Sequence, residues 1–171
     1  MTILGIAGIQ MPVSAVADNI DMMERYVAHV RKRFPWVTVM VFSELCVFGS
    51  NPAHAQTMPG EAEQRLQAIA AKYRMWLIPG SMFEHLDGKI YNTTPIINPD
   101  GVVIDRYRKM FPFYPYEQGI SAGERFVTFD IPDVGRIGMS ICYDMWFPET
   151  SRTLAAMGAE VIIHPTMTDT I

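Results

Sequence analysis

The chain has 171 residues, 49% of them hydrophobic, with a formal net charge of −4, two cysteines and four histidines. That length and apolar content suit one domain around a single core. The mild negative charge leaves no electrostatic footprint for nucleic acid or an anionic membrane, two cysteines do not make a disulfide framework, and no apolar run reaches membrane-spanning length.

Residues 3–11 read as a buried strand, and the absence of a basic preamble before them argues against a signal peptide. Over residues 19–34, Ile20, Met23, Val27, Val30 and Phe34 recur by threes and fours, the spacing of an amphipathic helix. Arg31-Lys32-Arg33 closes it, where cations suit the helix dipole. Residues 37–43 form a second apolar strand; a loop with Gly49, Pro52, Pro59 and Gly60 follows. A second helix runs from Glu61 to about Arg74, with Leu66, Ile69, Ala70 and Tyr73 inward. Strands come next at Met75–Phe83, Ile90–Asn98 and Val102–Arg108, separated by Asp87-Gly88 and Pro99-Asp100-Gly101 turns, which makes the sheet mixed. Gly119–Arg125 is a loop and Phe126–Ile131 a strand; a further strand carries Ile137, Met139 and Ile141 to Cys142. A helix starts near Pro148, and the strand Val161–Ile163 leads into His164. No repeat or linker interrupts the pattern, so residues 1–171 read as one domain.

Glu44, Lys109 and Cys142 each stand just past one of these strands. Singly, each has a plain structural reading: a buried apolar thiol, a solvated loop carboxylate, a surface ammonium. Together they change the balance, because the ends of parallel strands converge on one edge of a sheet, where the sites of α/β folds lie. A thiol, a carboxylate and an ammonium at one edge make a candidate for acyl transfer. Cys142 also falls between a strand and the amino end of a helix, where developing negative charge is favoured. A Cys–His pair using His164 stays open as a rival, although a His before Pro165 reads more readily as structural or pocket-lining. The histidines (His29, His54, His85, His164) and cysteines lack the paired spacing of a zinc site, and no phosphate loop is present. Gly138-Met139-Ser140-Ile141-Cys142 is not the serine nucleophile elbow, whose fifth residue is Gly. Cys46 is assigned no chemistry.

The succession of these segments resembles the nitrilase superfamily, the carbon–nitrogen hydrolases with a Glu–Lys–Cys set. Ile3 to Met11 is similar to the family's first strand, Val41-Phe42-Ser43-Glu44 to its glutamate strand, and Tyr107-Arg108-Lys109-Met110-Phe111-Pro112 to its lysine segment. Cys142-Tyr143-Asp144-Met145-Trp146-Phe147-Pro148-Glu149 is the most specific match. Glu117, eight residues after Lys109, stands where aliphatic amidases of this family carry a second glutamate. The resemblance implies an α/β fold, an α-β-β-α sandwich whose C-terminal part would be missing from this chain, and a homo-oligomer. It implies Cys142 as nucleophile, Glu44 as the proton carrier and Lys109 as the stabiliser of negative charge on sulfur and carbonyl oxygen. Glu117 would orient the substrate nitrogen or the attacking water and hold Lys109 between two carboxylates. The Tyr143 backbone N–H would be the second oxyanion donor, with Tyr116, Trp146 and His164 near the substrate. No metal or organic cofactor is required.

The implied partners are a small amide or carbamoyl substrate and water, with no nucleic acid or membrane, and the implied location is the cytoplasm, where a thiol stays reduced. Several relatives carry, four residues after the nucleophile, an arginine able to meet a substrate carboxylate; Trp146 here favours a neutral or cationic substrate. The Trp146-Phe147-Pro148-Glu149 ending resembles N-carbamoylputrescine amidases, and the Lys109–Glu117 loop resembles aliphatic amidases and formamidases. The expected reaction is hydrolysis of a small aliphatic amide or N-carbamoyl amine through a cysteine thioester, with release of ammonia. Two alternatives stay open: nitrile hydrolysis, against which Tyr143-Asp144 stands where true nitrilases tend to carry Trp-Glu, and a catalytically silent acyl-binding module.

Overall fold

The first two strands, β1 (Ile6–Ile9) and β2 (Val39–Phe42), lie parallel, with Ile6 opposite Val39 and Ile9 opposite Phe42. The computed structural model describes residues 3–168. Helix α1 (Ile20–Arg33) connects the pair and buries Ile20, Met23, Val27 and Val30, as its spacing predicts. Phe34 departs from that stripe: it caps the helix, and its exposed ring meets Trp36 edge-on at 5.5 Å. β1 also departs from expectation. It pairs with β2 alone among the described strands, so Ile6 is 41% exposed where a buried strand was predicted.

Helix α2 (Glu61–Tyr73) opens on Glu61 and Glu63 and stops at Arg74, which turns left-handed at φ 53°. The run predicted as one strand from Met75 to Phe83 is two, β3 (Trp76–Ile78) and β4 (Met82–Leu86). Both are antiparallel to the long β5 (Lys89–Ile97), Leu77 opposite Ile97 and Met82 opposite Thr93, so a short offset at Pro79-Gly80 interrupts the ladder. β6 (Val103–Arg108) pairs antiparallel with β5, and a two-residue β7 (Ile120–Ser121) pairs parallel with it inside the predicted loop. A second sheet contains β8 (Val127–Ile131), β9 (Gly135–Met139) and β10 (Val161–Ile163) in the order β10-β9-β8. Helix α3 (Pro148–Ala156) lies between β9 and β10 in the chain.

Side-chain alternation along the strands builds the layers. Met40, Phe42 and Leu77 face α1 and α2, where they meet Val27, Leu66 and Ile69. Val39, Ile78, Ile96 and Tyr107 face the second sheet and meet Phe129, Ile137 and Met139. Gly138 points the other way, toward Leu154 of α3, whose Cδ2 would lie 3.2 Å from a Cβ placed there. The result is helices, sheet, sheet and helix, an α-β-β-α sandwich. At roughly 1.5–3 kcal/mol for each large apolar side chain buried, the two cores dominate its stability. No helix among the described residues is long and apolar enough to cross a membrane.

The Pro79-Gly80 offset has a steric cause. Gly80 has φ 80°, and a Cβ there would fall 1.8 Å from the Ser43 carbonyl oxygen. Gly80→Ala should therefore lose at least about 1–3 kcal/mol of stability, by strain and clash together. Urea unfolding measures it, and a variant as stable as the parent would contradict the contact.

Candidate active site

Glu44 leaves β2 on a sharp turn. Leu45 is left-handed at φ 53°, its N–H donates to Ser81 Oγ at 2.9 Å, and the Cys46 thiol donates to the Pro79 carbonyl at 3.2 Å. The interruption between β3 and β4 is thus the seat on which the Glu44 turn rests. Cys46 is fully buried, and burial pushes its thiol up to about 12, so it is inert.

Lys109 follows β6 and is buried, 2% exposed. Its N–H donates to the Asn92 carbonyl at 2.9 Å and its own carbonyl accepts from Gly123 N–H at 2.8 Å. The ammonium then has two carboxylates in reach, Glu44 Oε1 at 2.8 Å and Glu117 Oε2 at 2.7 Å. Burial pulls the Lys109 pKa down, but the charges and hydrogen bonds of Glu44 and Glu117 outweigh it, and the net direction is up. Lys109 is therefore a fixed cation at neutral pH.

Cys142 lies three residues beyond β9, in a left-handed conformation at φ 47° that only a tightly held turn maintains. Its N–H is committed to the Pro165 carbonyl at 2.9 Å. It begins a 3-10 turn, Cys142–Trp146, and α3 starts only at Pro148. The expectation of a helix terminus favouring negative charge on sulfur is corrected here. Burial pushes the thiol up, the neighbouring Glu44 carboxylate pushes it further, and Lys109 only partly offsets them, leaving it at about 11. The resting sulfur is a thiol beside a carboxylate.

The strand ends converge, though not on one sheet edge as predicted: β2 and β6 belong to the large sheet and β9 to the small one. Glu44, Lys109, Glu117 and Cys142 share a cavity of about 240 Å³, walled by Leu45, Phe83, Phe113, Tyr116 and Ile120, with Met167 alongside. Met167 N–H donates to Glu44 Oε2 at 3.0 Å. Among the predicted substrate-side residues, Tyr116 lines this cavity while the Tyr143 ring, Trp146 and His164 do not. Successive side chains of a 3-10 turn diverge by about 120°, so Tyr143 turns away when Cys142 faces in. Its ring lies 4.7 Å from Phe113 and 5.7 Å from Trp146, the latter 79% exposed. Because the Cys142 N–H is spent, the Tyr143 N–H remains the backbone candidate for an oxyanion. His164 Nδ1 is 2.9 Å from Ser140 Oγ, and burial, then the Lys109 charge, lowers its pKa. At neutral pH it is therefore uncharged.

Two residues of the site were not anticipated. Asn92, fully buried in β5, donates from Nδ2 to Glu44 Oε1 at 2.9 Å and to Glu117 Oε1 at 3.0 Å. Asp144, also fully buried, accepts from Tyr107 Oη at 2.6 Å, Phe111 N–H at 2.9 Å and Ile141 N–H at 2.8 Å, joining the lysine segment to the cysteine turn. Burial raises the Asp144 pKa against these donors, and burial with the Asp144 charge raises that of Tyr107. The signals were faint: an Asn inside an apolar strand, where it is depleted, and an Asp in a turn, where it is ordinary. Among the described residues, no group of three or more His, Cys, Asp or Glu is arranged to hold a metal ion.

Residues 5–170 match the family model for carbon–nitrogen hydrolases. Omega-amidase NIT2 of Homo sapiens is 31% identical over 179 residues, an alignment covering 96% of this chain and 64% of that protein. The chain thus spans less than two thirds of the length of this relative. Among solved structures, Saccharomyces cerevisiae Nit3, a member of branch 10 of the nitrilase superfamily, superposes with a TM-score of 0.81 at 28% identity, over 92% of this chain and 63% of that one. An amidase from Nesterenkonia sp. shares the fold with a TM-score of 0.85 at 24% identity, over 95% and 64% of the two chains. With the family match running through nearly its whole length and the sandwich shared, the chain belongs to the carbon–nitrogen hydrolases of the nitrilase superfamily.

Proposed function

We propose that this chain carries the active site of an amidase that hydrolyses a small neutral or cationic aliphatic amide or N-carbamoyl amine through a thioester on Cys142. The carrying observation is the seating of a thiol beside one carboxylate, Glu44, whose ammonium partner Lys109 is held by a second, Glu117. The thiol at about 11 is too weak an acid to ionise alone at neutral pH, so attack needs concerted removal of its proton by Glu44. Sulfur bonds to the carbonyl carbon, and the oxyanion is met by the Lys109 ammonium and the Tyr143 N–H; one such donor is worth about 2.7–4 kcal/mol. The tetrahedral adduct collapses with cleavage of the C–N bond, and Glu44 returns the proton to nitrogen, which leaves as ammonia. Glu44 then takes a proton from water, the oxygen attacks the thioester, the C–S bond breaks and sulfur recovers the proton.

Glu117 holds Lys109 rather than moving protons, because Glu44 and not Glu117 is the carboxylate in charge and hydrogen-bond contact with the Cys142 thiol, while Glu117 accepts from Asn92 on Oε1 and from Lys109 and Phe113 N–H on Oε2, the last at 2.6 Å. Substrate class follows from charge and wall. Lys109 is the one cation among the residues lining the cavity, and it is already engaged by two carboxylates. A substrate carboxylate meets no free cation there, whereas a short acyl chain meets Leu45, Phe83 and Ile120. The amidase naming of the human relative supports the same reaction class. A cysteine nucleophile of this kind belongs in a reducing compartment such as the cytoplasm.

Cys142→Ala should abolish both turnover and acylation, and intact-mass spectrometry after mixing with an activated ester reads the acyl adduct. Glu44→Gln should lower amide turnover at least about 10²–10⁴-fold yet still be acylated slowly by the ester, through the small thiolate fraction and because the ester's leaving group needs no proton, and then retain the acyl group. Normal amide hydrolysis by Glu44→Gln, or any by Cys142→Ala, would refute the mechanism.

The same variant makes a second, opposite-signed test. Glu44 charge helps to hold the thiol at about 11, so Glu44→Gln should move the pH midpoint of Cys142 alkylation by iodoacetamide downward while destroying turnover. An upward shift would show that Glu44 does not load the thiol electrostatically. Finally, His164→Asn should leave Cys142 labelling intact; its loss in a folded variant would restore the Cys–His alternative.

A further inference from the structure

Asn92 occupies a position that general packing does not explain. It is completely buried, and its side-chain amide gives both hydrogens to carboxylates, one to Glu44 Oε1 and one to Glu117 Oε1. Its backbone carbonyl accepts the N–H of Lys109, the residue whose ammonium bridges the same two carboxylates. Asn92, Glu44, Lys109 and Glu117 thus close a ring in which two donors alternate with two acceptors. Among the described residues, none gives the buried Asn92 Oδ1 a hydrogen bond. A flipped amide would place that oxygen against two carboxylate oxygens at about 3 Å, so electrostatics fixes the orientation.

The consequence lies in how the two oxygens of Glu44 are divided. Oε1 receives both Asn92 and Lys109, whereas Oε2 receives the Met167 N–H at 3.0 Å and, among the described residues, no second nitrogen donor. Resting on the amidase reading above, we infer that Asn92 is a positioning residue that, with Lys109, occupies Glu44 Oε1 and leaves Oε2 as the oxygen that moves protons to and from sulfur, nitrogen and water. The titratable and charged groups facing Glu44 are Lys109 from the end of β6, Glu117 from the following loop and Cys142 from the 3-10 turn, with His164 beyond Lys109.

The test compares Asn92→Ala and Asn92→Asp with the parent, using propionamide and following kcat and KM separately. Without the amide donor Glu44 Oε1 is held by Lys109 alone, so kcat should fall about 10²-fold in Asn92→Ala from misalignment, with KM changed little. Asn92→Asp, nearly isosteric, should be worse, because it removes both donors and sets a third carboxylate against the other two. Asn92→Ser, which restores one donor, should recover part of kcat at unchanged KM, and it gives the same reading if the alanine variant does not fold. A parental kcat per folded protein in Asn92→Ala and Asn92→Ser would overturn the inference and leave Asn92 a packing residue. The amidase reading fails separately, by Glu44→Gln hydrolysing propionamide at the parental rate.

Discussion

A lysine ammonium buried between two carboxylates is the interaction on which the rest of this site depends. Removing a charge from water costs several kcal/mol unless partners replace the solvent. Lys109 meets that condition with Glu44 and Glu117, and Asn92 gives each carboxylate a further donor. The cluster carries one more negative charge than positive and sits in a cavity with mostly apolar walls. Any further negative charge in that space, on sulfur or on a substrate, must be balanced by the single ammonium. In the proposed reaction, proton transfer coupled to attack avoids building a free thiolate at all.

The sandwich brings this cluster to the sulfur by joining its two sheets at one point. Asp144 is that joint: it receives the Tyr107 hydroxyl from β6, the Phe111 N–H just past Lys109, and the Ile141 N–H next to Cys142. Hydrogen bonds to a charged group contribute about 1.5–3 kcal/mol each, enough to hold the Cys142 backbone in its left-handed conformation. Tyr107 also packs in the inter-sheet core, so one side chain takes part both in the hydrophobic contact between the sheets and in the hydrogen bond that ties the lysine segment to the cysteine turn.

The Glu44 turn follows the same logic on the other side. Pro79-Gly80-Ser81 breaks a strand so that a backbone turn can nest in the gap, and only glycine permits the approach of the Ser43 carbonyl. The irregularity costs ladder hydrogen bonds to β5 in the gap between β3 and β4, and what it provides is a carboxylate aimed into the cavity from a buried, bonded loop.

Glu44, Lys109 and Cys142 were legible in the amino-acid sequence because each follows an apolar strand by one to three residues, and Glu117 because of its distance from Lys109. Helices α1 and α2 were legible from their apolar spacing, and the layered architecture from the family resemblance. The split of β3 from β4, the exposure of β1 and the 3-10 turn after Cys142 were not, since each depends on a partner distant in the chain. Asn92 and Asp144 were invisible for the same reason: their hydrogen-bond partners lie 25 to 48 and 3 to 37 residues away. Local sequence determined which chemical groups are present and which strand ends carry them. Tertiary structure alone decided that the sulfur would be a burdened thiol and not a thiolate, because that outcome rests on burial and on the charges of Glu44 and Lys109, brought beside Cys142 from 98 and 33 residues away.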